Sequence, residues 1–296
     1  MNYAEHRPPA RLSPFIECIW IASGPAPAAT AFESVLPDGC PEWIFHLAAP
    51  YQALRADGTA AVQPASLLVG QMTRPLRIAP TGPVRTMGIR FRPGGAHPFF
   101  DVPLDALTGG SAPTRDVWSG GEGRRVEDAV LNAPDDGARR ALLEDFLARR
   151  LDAARFDGHR IAAAAGTLLR RHGRMRVAEL ARRSGWSRRQ LEREFRRRVG
   201  VSPKTLARIA RFQNLLRLSG RDAARSWSDL AAACGYADQA HLVREFREFA
   251  GVTPTQRPAA DGDLARHFVE PGRLEDLLRP EGPDVAFLQD TAAHRP

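Results

Sequence analysis

Arg189, Arg193 and Arg197 recur every four residues on a segment that carries Leu191, Phe195 and Val199 at the same interval. At 100° per residue the two sets fall on opposite faces of one helix, with Gln190 beside the arginines. That face offers the forked hydrogen bonds that major-groove base edges accept, Arg to guanine and Gln to adenine. Ser187 stands three residues ahead of Gln190, a capping-box spacing that starts the helix at Arg188 and sets its first turn. A solvated arginine-rich helix would have the same composition. What favours a nucleic-acid reader is that the whole unit occurs twice.

Glu179-Leu180-Ala181-Arg182-Arg183-Ser184-Gly185-Trp186 is echoed by Asp229-Leu230-Ala231-Ala232-Ala233-Cys234-Gly235-Tyr236. Each copy continues into Leu-x-Arg-Glu-Phe-Arg (Leu191 to Arg196, Leu242 to Arg247) and closes on Gly-Val-(Ser/Thr)-Pro. Two copies at one spacing are far more specific than a single short motif. Each reads as helix-turn-helix, with Gly185 ending the first helix of its unit.

In the second unit Asp238 is the expected N-cap, Leu242 and Phe246 face inward, and Ala240, His241, Arg244 and Glu248 face out. Ala240 could touch a thymine methyl and Arg244 a guanine, whereas Glu248 would repel phosphate. His241 is either a phosphate donor or an ordinary exposed histidine. Between the units, Leu206, Ile209, Phe212, Leu215 and Leu216 mark a connecting helix from Pro203 to Leu218, with Lys204, Arg208 and Arg211 sharing another face. Its roughly 24 Å length could hold two readers near the ~34 Å that separates successive major grooves on one side of DNA.

The chain of 296 residues is long enough for two domains, and its formal charge is +8, with Lys204 the one lysine. Divided along the chain, the charge is −2 over residues 1–154, +14 over 155–257 and −4 over 258–296. A +14 block exceeds what solubility asks for and points to a nucleic-acid partner. No apolar run is long enough to span a bilayer, and no secretory signal is read at Met1 to Pro14, so a cytoplasmic protein without a membrane partner is expected. Cys18, Cys40 and Cys234 are too few and too scattered for a disulfide framework or a zinc knuckle.

The doubled pattern resembles the DNA-binding domain of AraC-type transcription regulators, over about Phe156 to Arg257. The resemblance implies seven helices and two recognition helices entering adjacent major grooves. Arg189, Glu192 and Arg193 occupy the base-reading positions of the first, and Gln239, Ala240, His241, Val243 and Arg244 those of the second. Glu192 is either a cytosine acceptor or a solvated acid. Gly235-Tyr236 departs from the family's usual Gly-Phe. Ser187, Arg188, Arg189, Gln190, Glu192, Arg193, Arg197, Lys204 and Arg208, with Gln239 to His241, Val243 and Arg244, form the expected DNA-binding set.

The N-terminal part carries short apolar or alternating runs at Ile16 to Ala22, Trp43 to Leu47, Ser66 to Val69, Leu76 to Ala79 and Val84 to Phe91, punctuated by Pro and Gly. They predict an antiparallel sheet or barrel. Around Glu127 to Leu131 and Ala138 to Leu151 the period becomes helical. The apolar face of Leu142, Leu143, Phe146, Leu147 and Leu151 either forms a dimer surface or packs back on its own sheet. The stretches Val35 to Gly39, Glu42 to His46 and Gly88 to Gly95 resemble an uncharacterised N-terminal domain of some family members. In this family such a domain is usually a cupin-like sensor, but the likeness brings no ligand with it.

Cys40, Glu42, Ile44 and His46 share one strand face, and Trp43, Phe45 and Leu47 the other. A metal could use the first face, but the expected arrangement is a polar outer face over an aromatic inner one, and neither metal nor cofactor is expected. Arg90 and Arg92 could hold a carboxylate or point outward as ordinary strand charges. An effector site, if present, is expected at Trp20, Glu33, Trp43, Phe45 and Arg90.

The expected fold is therefore an α+β chain of two domains. Residues 1–154 form a β-rich, cupin-like sensing or dimerisation domain with trailing helices. Residues 155–257 form an all-α domain of two helix-turn-helix units joined by a helix, and 258–296 an acidic Pro/Gly-rich tail that is disordered or docked. The expected function is a one-component, non-enzymatic transcription regulator. Its partners would be double-stranded DNA, RNA polymerase if it activates, and a small-molecule effector or a second copy at the N-terminal domain. The alternatives are a DNA-repair hybrid with an alkyl-accepting cysteine, which needs an activated thiolate, and a non-specific DNA binder.

Overall fold

The structure is a computed structural model that describes residues 1–27, 31–55, 57–154, 159–221 and 225–256. The expectation for the 258–296 tail falls outside these residues.

Among the described residues, ten strands lie in the N-terminal part: β1 (Asn2–His6), β2 (Ile16–Gly24), β3 (Glu33–Val35), β4 (Glu42–His46), β5 (Tyr51–Leu54), β6 (Ala60–Val62), β7 (Ser66–Val69), β8 (Leu76–Pro80), β9 (Val84–Phe91) and β10 (Ser111–Pro113). They build two antiparallel sheets, of order β1-β2-β9-β4-β7-β10 and β3-β8-β5-β6. The five apolar runs are β2, β4, β7, β8 and β9. Two helices follow, α1 (Glu122–Leu131) and α2 (Asp136–Ala153), the second capped by Asp135, whose carboxylate accepts from the Ala138 N–H at 2.8 Å.

The larger sheet is covered on both sides. One face turns Trp43, Phe45, Met87, Ile89 and Phe91 against Val126, Val130, Leu143, Phe146 and Leu147 of α1 and α2. Leu143, Phe146, Leu147 and Leu151 thus pack on their own sheet, while Leu142 stays exposed. The other face looks toward the smaller sheet, with Trp20, Tyr51 and Ile78 buried there. Two-sided cover explains why β2, β4 and β9 are buried almost continuously, where one-sided sheets alternate. It also corrects the expected outer face: Cys40, Glu42 and His46 are buried, because the smaller sheet lies over them.

The C-terminal part has α3 (His159–Arg170), α4 (Val177–Arg183), α5 (Arg188–Val199), α6 (Pro203–Arg221), α7 (Trp227–Cys234) and α8 (Gln239–Ala250), closed by a 3-10 turn at Pro254–Gln256. Helices α4 and α5 form one helix-turn-helix and α7 and α8 the other. Helix α6 joins them by contributing Leu206 and Ala210 to the first core and Phe212, Leu215 and Leu216 to the second. Phe212 meets Phe246 and Phe249 with ring centroids 5.5 and 5.3 Å apart. Each such ring contributes roughly 1.5–3 kcal/mol by burial.

Both recognition helices end on glycines in the left-handed region, Gly200 at φ 94° and Gly251 at φ 75°. A side chain at either position would be strained in the helix C-cap.

Candidate nucleic-acid interface and inter-sheet cavity

Helix α5 starts at the expected capping box. Ser187 Oγ accepts from the Gln190 N–H at 3.2 Å and Gln190 Oε1 accepts from the Ser187 N–H at 2.9 Å. Leu191, Phe195 and Val199 are buried, while Arg188, Arg189, Gln190, Arg193 and Arg197 are exposed. The cap uses one of the two lone pairs of the Gln190 carbonyl and fixes the side chain over the first turn of the helix. Glu192 is half-buried on the flank of this face. Arg193 donates to Glu194 at 3.2 Å with its side chain 69% exposed, which leaves the guanidinium at the surface.

In the second unit Asp238 caps α8 by accepting from the His241 N–H at 2.6 Å. Gln239, Ala240 and Arg244 are exposed, and His241 and Val243 half-buried. The His241 ring packs edge-on to Tyr236 at 5.3 Å, and Gln239 accepts from Ser228 at 3.0 Å. Arg208 is not presented with Lys204 as one free basic face. Its guanidinium donates to Glu245 at 2.8 Å and to Glu248 at 3.1 Å, and Arg211 reaches Glu245 at 3.3 Å. Lys204 stays exposed at the start of α6, beside a groove that Arg174, Arg176, Arg188 and Arg244 also line.

Two arginines that sequence spacing does not mark hold the units in place. Arg160 of α3 donates to the Ser184 carbonyl at 2.9 Å and stacks 4.4 Å from the Trp186 ring centre, over the turn of the first unit. Arg174, ahead of α4, donates to the Ala232 and Ala233 carbonyls at the end of α7, tying the second unit to the first. Arginine-to-carbonyl contacts of this kind have no periodic signature.

The larger sheet's second face and the smaller sheet enclose a cavity of about 60 Å³. Trp20 lies across Gly88 at its floor, where any side chain at Gly88 would collide with the indole. Three rows cross the floor through the strand register: Arg90 opposite Glu42, Gly88 opposite Ile44, and Thr86 opposite His46. Val35, Tyr51, Leu76 and Ile78 close the roof, and Met72 a side. Trp20 and Arg90 line this cavity. Trp43 and Phe45 do not, since strand alternation turns them to the helix side, and Glu33 stands half-buried outside the wall.

Arg90 is 2% exposed and donates to three carboxylates, Glu17 at 2.8 Å, Glu42 at 2.6 Å, and Asp38. Burial pushes Glu42 up to about 7, helped by the Asp38 and Glu17 carboxylates and opposed by Arg90. Glu17 is raised for the same leading reason. Burial drives His46 down to about 4, so its ring is neutral near pH 7. Sequence reasoning placed Glu42 and His46 on one face but had no signal for Asp38 and Thr86, which enter from a loop and a second strand.

Cys18, Cys40 and Cys234 are buried, and burial raises the pKa of each thiol. An alkyl-accepting thiolate needs the opposite shift.

Two loops lie between the cavity and the DNA-binding helices. In loop 36–40, Asp38 and Cys40 line the cavity, while the Pro37 carbonyl accepts from Gln213 of α6 at 2.6 Å. In loop 70–75, Met72 lines the cavity, and Gln71 donates to the Gly39 carbonyl at 2.6 Å. The C-caps of both recognition helices rest on this second loop. A Cβ at Gly200 would come within 3.1 Å of Gln71, and one at Gly251 within 3.2 Å of Pro75.

The fold and surface define a DNA-binding protein with paired helix-turn-helix units behind a double-sheet domain. Residues 180–257 match the family model of a helix-turn-helix domain, and residues 4–113 match that of a domain of unknown function. The chain carries an AraC-type helix-turn-helix domain C-terminal to this uncharacterised domain and is a DNA-binding transcription regulator. No curated protein matches it.

Among solved structures, the chain is similar to ToxT from Vibrio cholerae in a P21 crystal form, at 11% identity and a TM-score of 0.44 over 80% of this chain and 97% of that one. It is similar to the same protein bound to an unsaturated fatty acid, at 12% identity and a TM-score of 0.40 over 80% and 92%. A third ToxT structure, bound to a methylnaphthalenyl butenoic acid, gives 11% identity and 0.41 over 87% and 99%. Among the described residues, no helix is long and apolar enough to cross a membrane.

Proposed function

We propose that the chain is a one-component regulator. Residues 155–257 read a specific DNA site with α5 and α8, and residues 1–154 adjust that reading according to whether the inter-sheet cavity holds a small molecule. The observation that carries this reading is loop 70–75, which borders the cavity through Met72 and meets the ends of both recognition helices. A ligand that moved Met72 would act on Gln71 and Pro75, and through them on Gly200 and Gly251. Coupling requires a ligand with different affinities for the two arrangements.

Base reading falls to Arg189 and Arg193 on α5 and to Ala240 and Arg244 on α8. Arg188, Arg197 and Lys204 take phosphates. Ser187, Gln190, Gln239, His241 and Arg208 shape these surfaces through their contacts within the protein. RNA polymerase and a second copy of the chain are further partners of this reading, and the cytoplasm is its setting.

The test is selection of duplex DNA from a random pool by the pure full-length protein, followed by titration of the selected site against random DNA. The expected result is one enriched site spanning two successive major grooves, bound at least a thousandfold more tightly than random sequence. Equal affinity for both would leave only a salt-dependent, non-specific binder.

A further inference from the structure

We infer that the inter-sheet cavity takes a small organic cation, an amine with an apolar body and a hydrogen-bonding group at its far end. This deepens the effector reading above and rests on it. At one end of the cavity the Arg90 guanidinium meets three carboxylates, of which Glu17 also feels Arg92, leaving at least one surplus negative charge when all are ionised. Arg90 already spends a separate N–H edge on each of its partners. An anionic ligand would have to displace one of them and would enlarge the surplus, whereas an ammonium group beside Asp38 and Glu42 cancels part of it.

The aromatic rings of Trp20 and Tyr51 line the same cavity, Trp20 across Gly88 at mid-floor and Tyr51 beside His46 at the far end, and extend its apolar wall. Val35, Ile44, Val69, Leu76 and Ile78 supply apolar wall for the body of the molecule.

The far end supplies an independent observation. Thr86 is 2% and His46 5% exposed, both line the cavity, and Thr86 Oγ1 and His46 Nδ1 have no hydrogen-bond partner among the described residues. Their row lies four residues along β4 from the Glu42 row, about 13 Å at strand rise. A ligand with its ammonium at Glu42 and a hydroxyl or amide at the other end satisfies both rows at once.

The groups facing Glu42 are Glu17 and Cys18 from β2, Asp38 and Cys40 from loop 36–40, and Arg90 from β9. With Glu42 titrating near 7, its ionised form, which attracts the amine, rises about tenfold between pH 6 and pH 8, while an alkylamine stays protonated throughout. Amine affinity is therefore expected to rise about tenfold over that interval.

The experiment measures unfolding temperature and calorimetric binding for the full chain with three matched probes: 8-amino-1-octanol, 8-hydroxyoctanoic acid and 1,8-octanediol. The expected result is a millimolar-range shift with the amino alcohol alone, an affinity that rises with pH as above, and at least a tenfold loss in Glu42→Gln. Asp38→Asn gives the same charge test should Glu42→Gln fail to fold, and the pH profile needs no variant. Equal binding of the acid or the diol, a flat pH profile, or no binding of the amino alcohol at 10 mM overturns the inference. If the acid or the diol binds and changes affinity for the selected DNA, the effector reading stands and the cation inference falls. If the amino alcohol binds and DNA affinity is unchanged, the inference stands and the effector reading falls.

Discussion

In the first helix-turn-helix unit α5 turns Arg189, Arg193 and Arg197 to solvent, whereas in the second α8 folds Glu245 and Glu248 back onto Arg208 and Arg211 of α6. Both units keep the same core positions, Leu191 and Phe195 in one and Leu242 and Phe246 in the other, and both open on a side-chain cap. The two units share one scaffold and divide the charge. The first unit keeps its cations available to an anionic partner. The second uses its acids to fix the connecting helix, which makes α6 and α8 one block and leaves Arg244 as its outward cation on the reading face.

The largest expected effect tests that block. Glu245→Ala leaves Arg208 and Arg211 without their shared buried acceptor and should destabilise the chain by about 2–3 kcal/mol, somewhat below a fully buried pair because both arginines are partly exposed. Urea denaturation measures it, and a loss under about 0.5 kcal/mol would show that the Glu245 pairs add little to the joint between α6 and α8.

Next, Arg193→Ala should weaken binding to the selected site by about 1–3 kcal/mol and relax preference at one base pair. Arg244→Ala should cost less, about 1 kcal/mol, with a smaller loss of preference at its own base pair. A larger effect at Arg244, read from binding to a panel of single-base variants, would reverse the order of the two units.

The smallest effect concerns what the units share. Ser187→Ala and Asp238→Ala each remove a cap of the same kind and should each cost about 1 kcal/mol of stability. Unequal losses in matched thermal melts would mean that the two helix starts differ in more than charge.

The sequence made the DNA-binding half readable because its determinants are local. A cap lies three residues from its acceptor, and a helix face repeats within a turn. The long apolar strands were legible for the same reason. Strands β1, β3, β5, β6 and β10 were not, being three to five residues long and half-exposed, with no period to display.

The cavity was hidden by a different cause. Glu42 and His46 have the alternation of a solvated strand face, and only the cover supplied by the smaller sheet makes that face interior. Arg90 meets its carboxylates across sequence separations of 48, 52 and 73 residues, distances at which no spacing rule operates. Gln190 shows the converse: its cap was legible from a spacing of three residues, because both partners lie in one turn.

Arg160 and Arg174 both precede residue 180, where the match to the helix-turn-helix family begins, yet they close the turn of one unit and the end of the other. A fragment or chimaera cut at that residue would retain every base-reading side chain and lose the two clasps that hold the readers in register. Grafting this DNA-binding half onto another sensor therefore calls for a junction ahead of His159, so that α3 travels with its cargo.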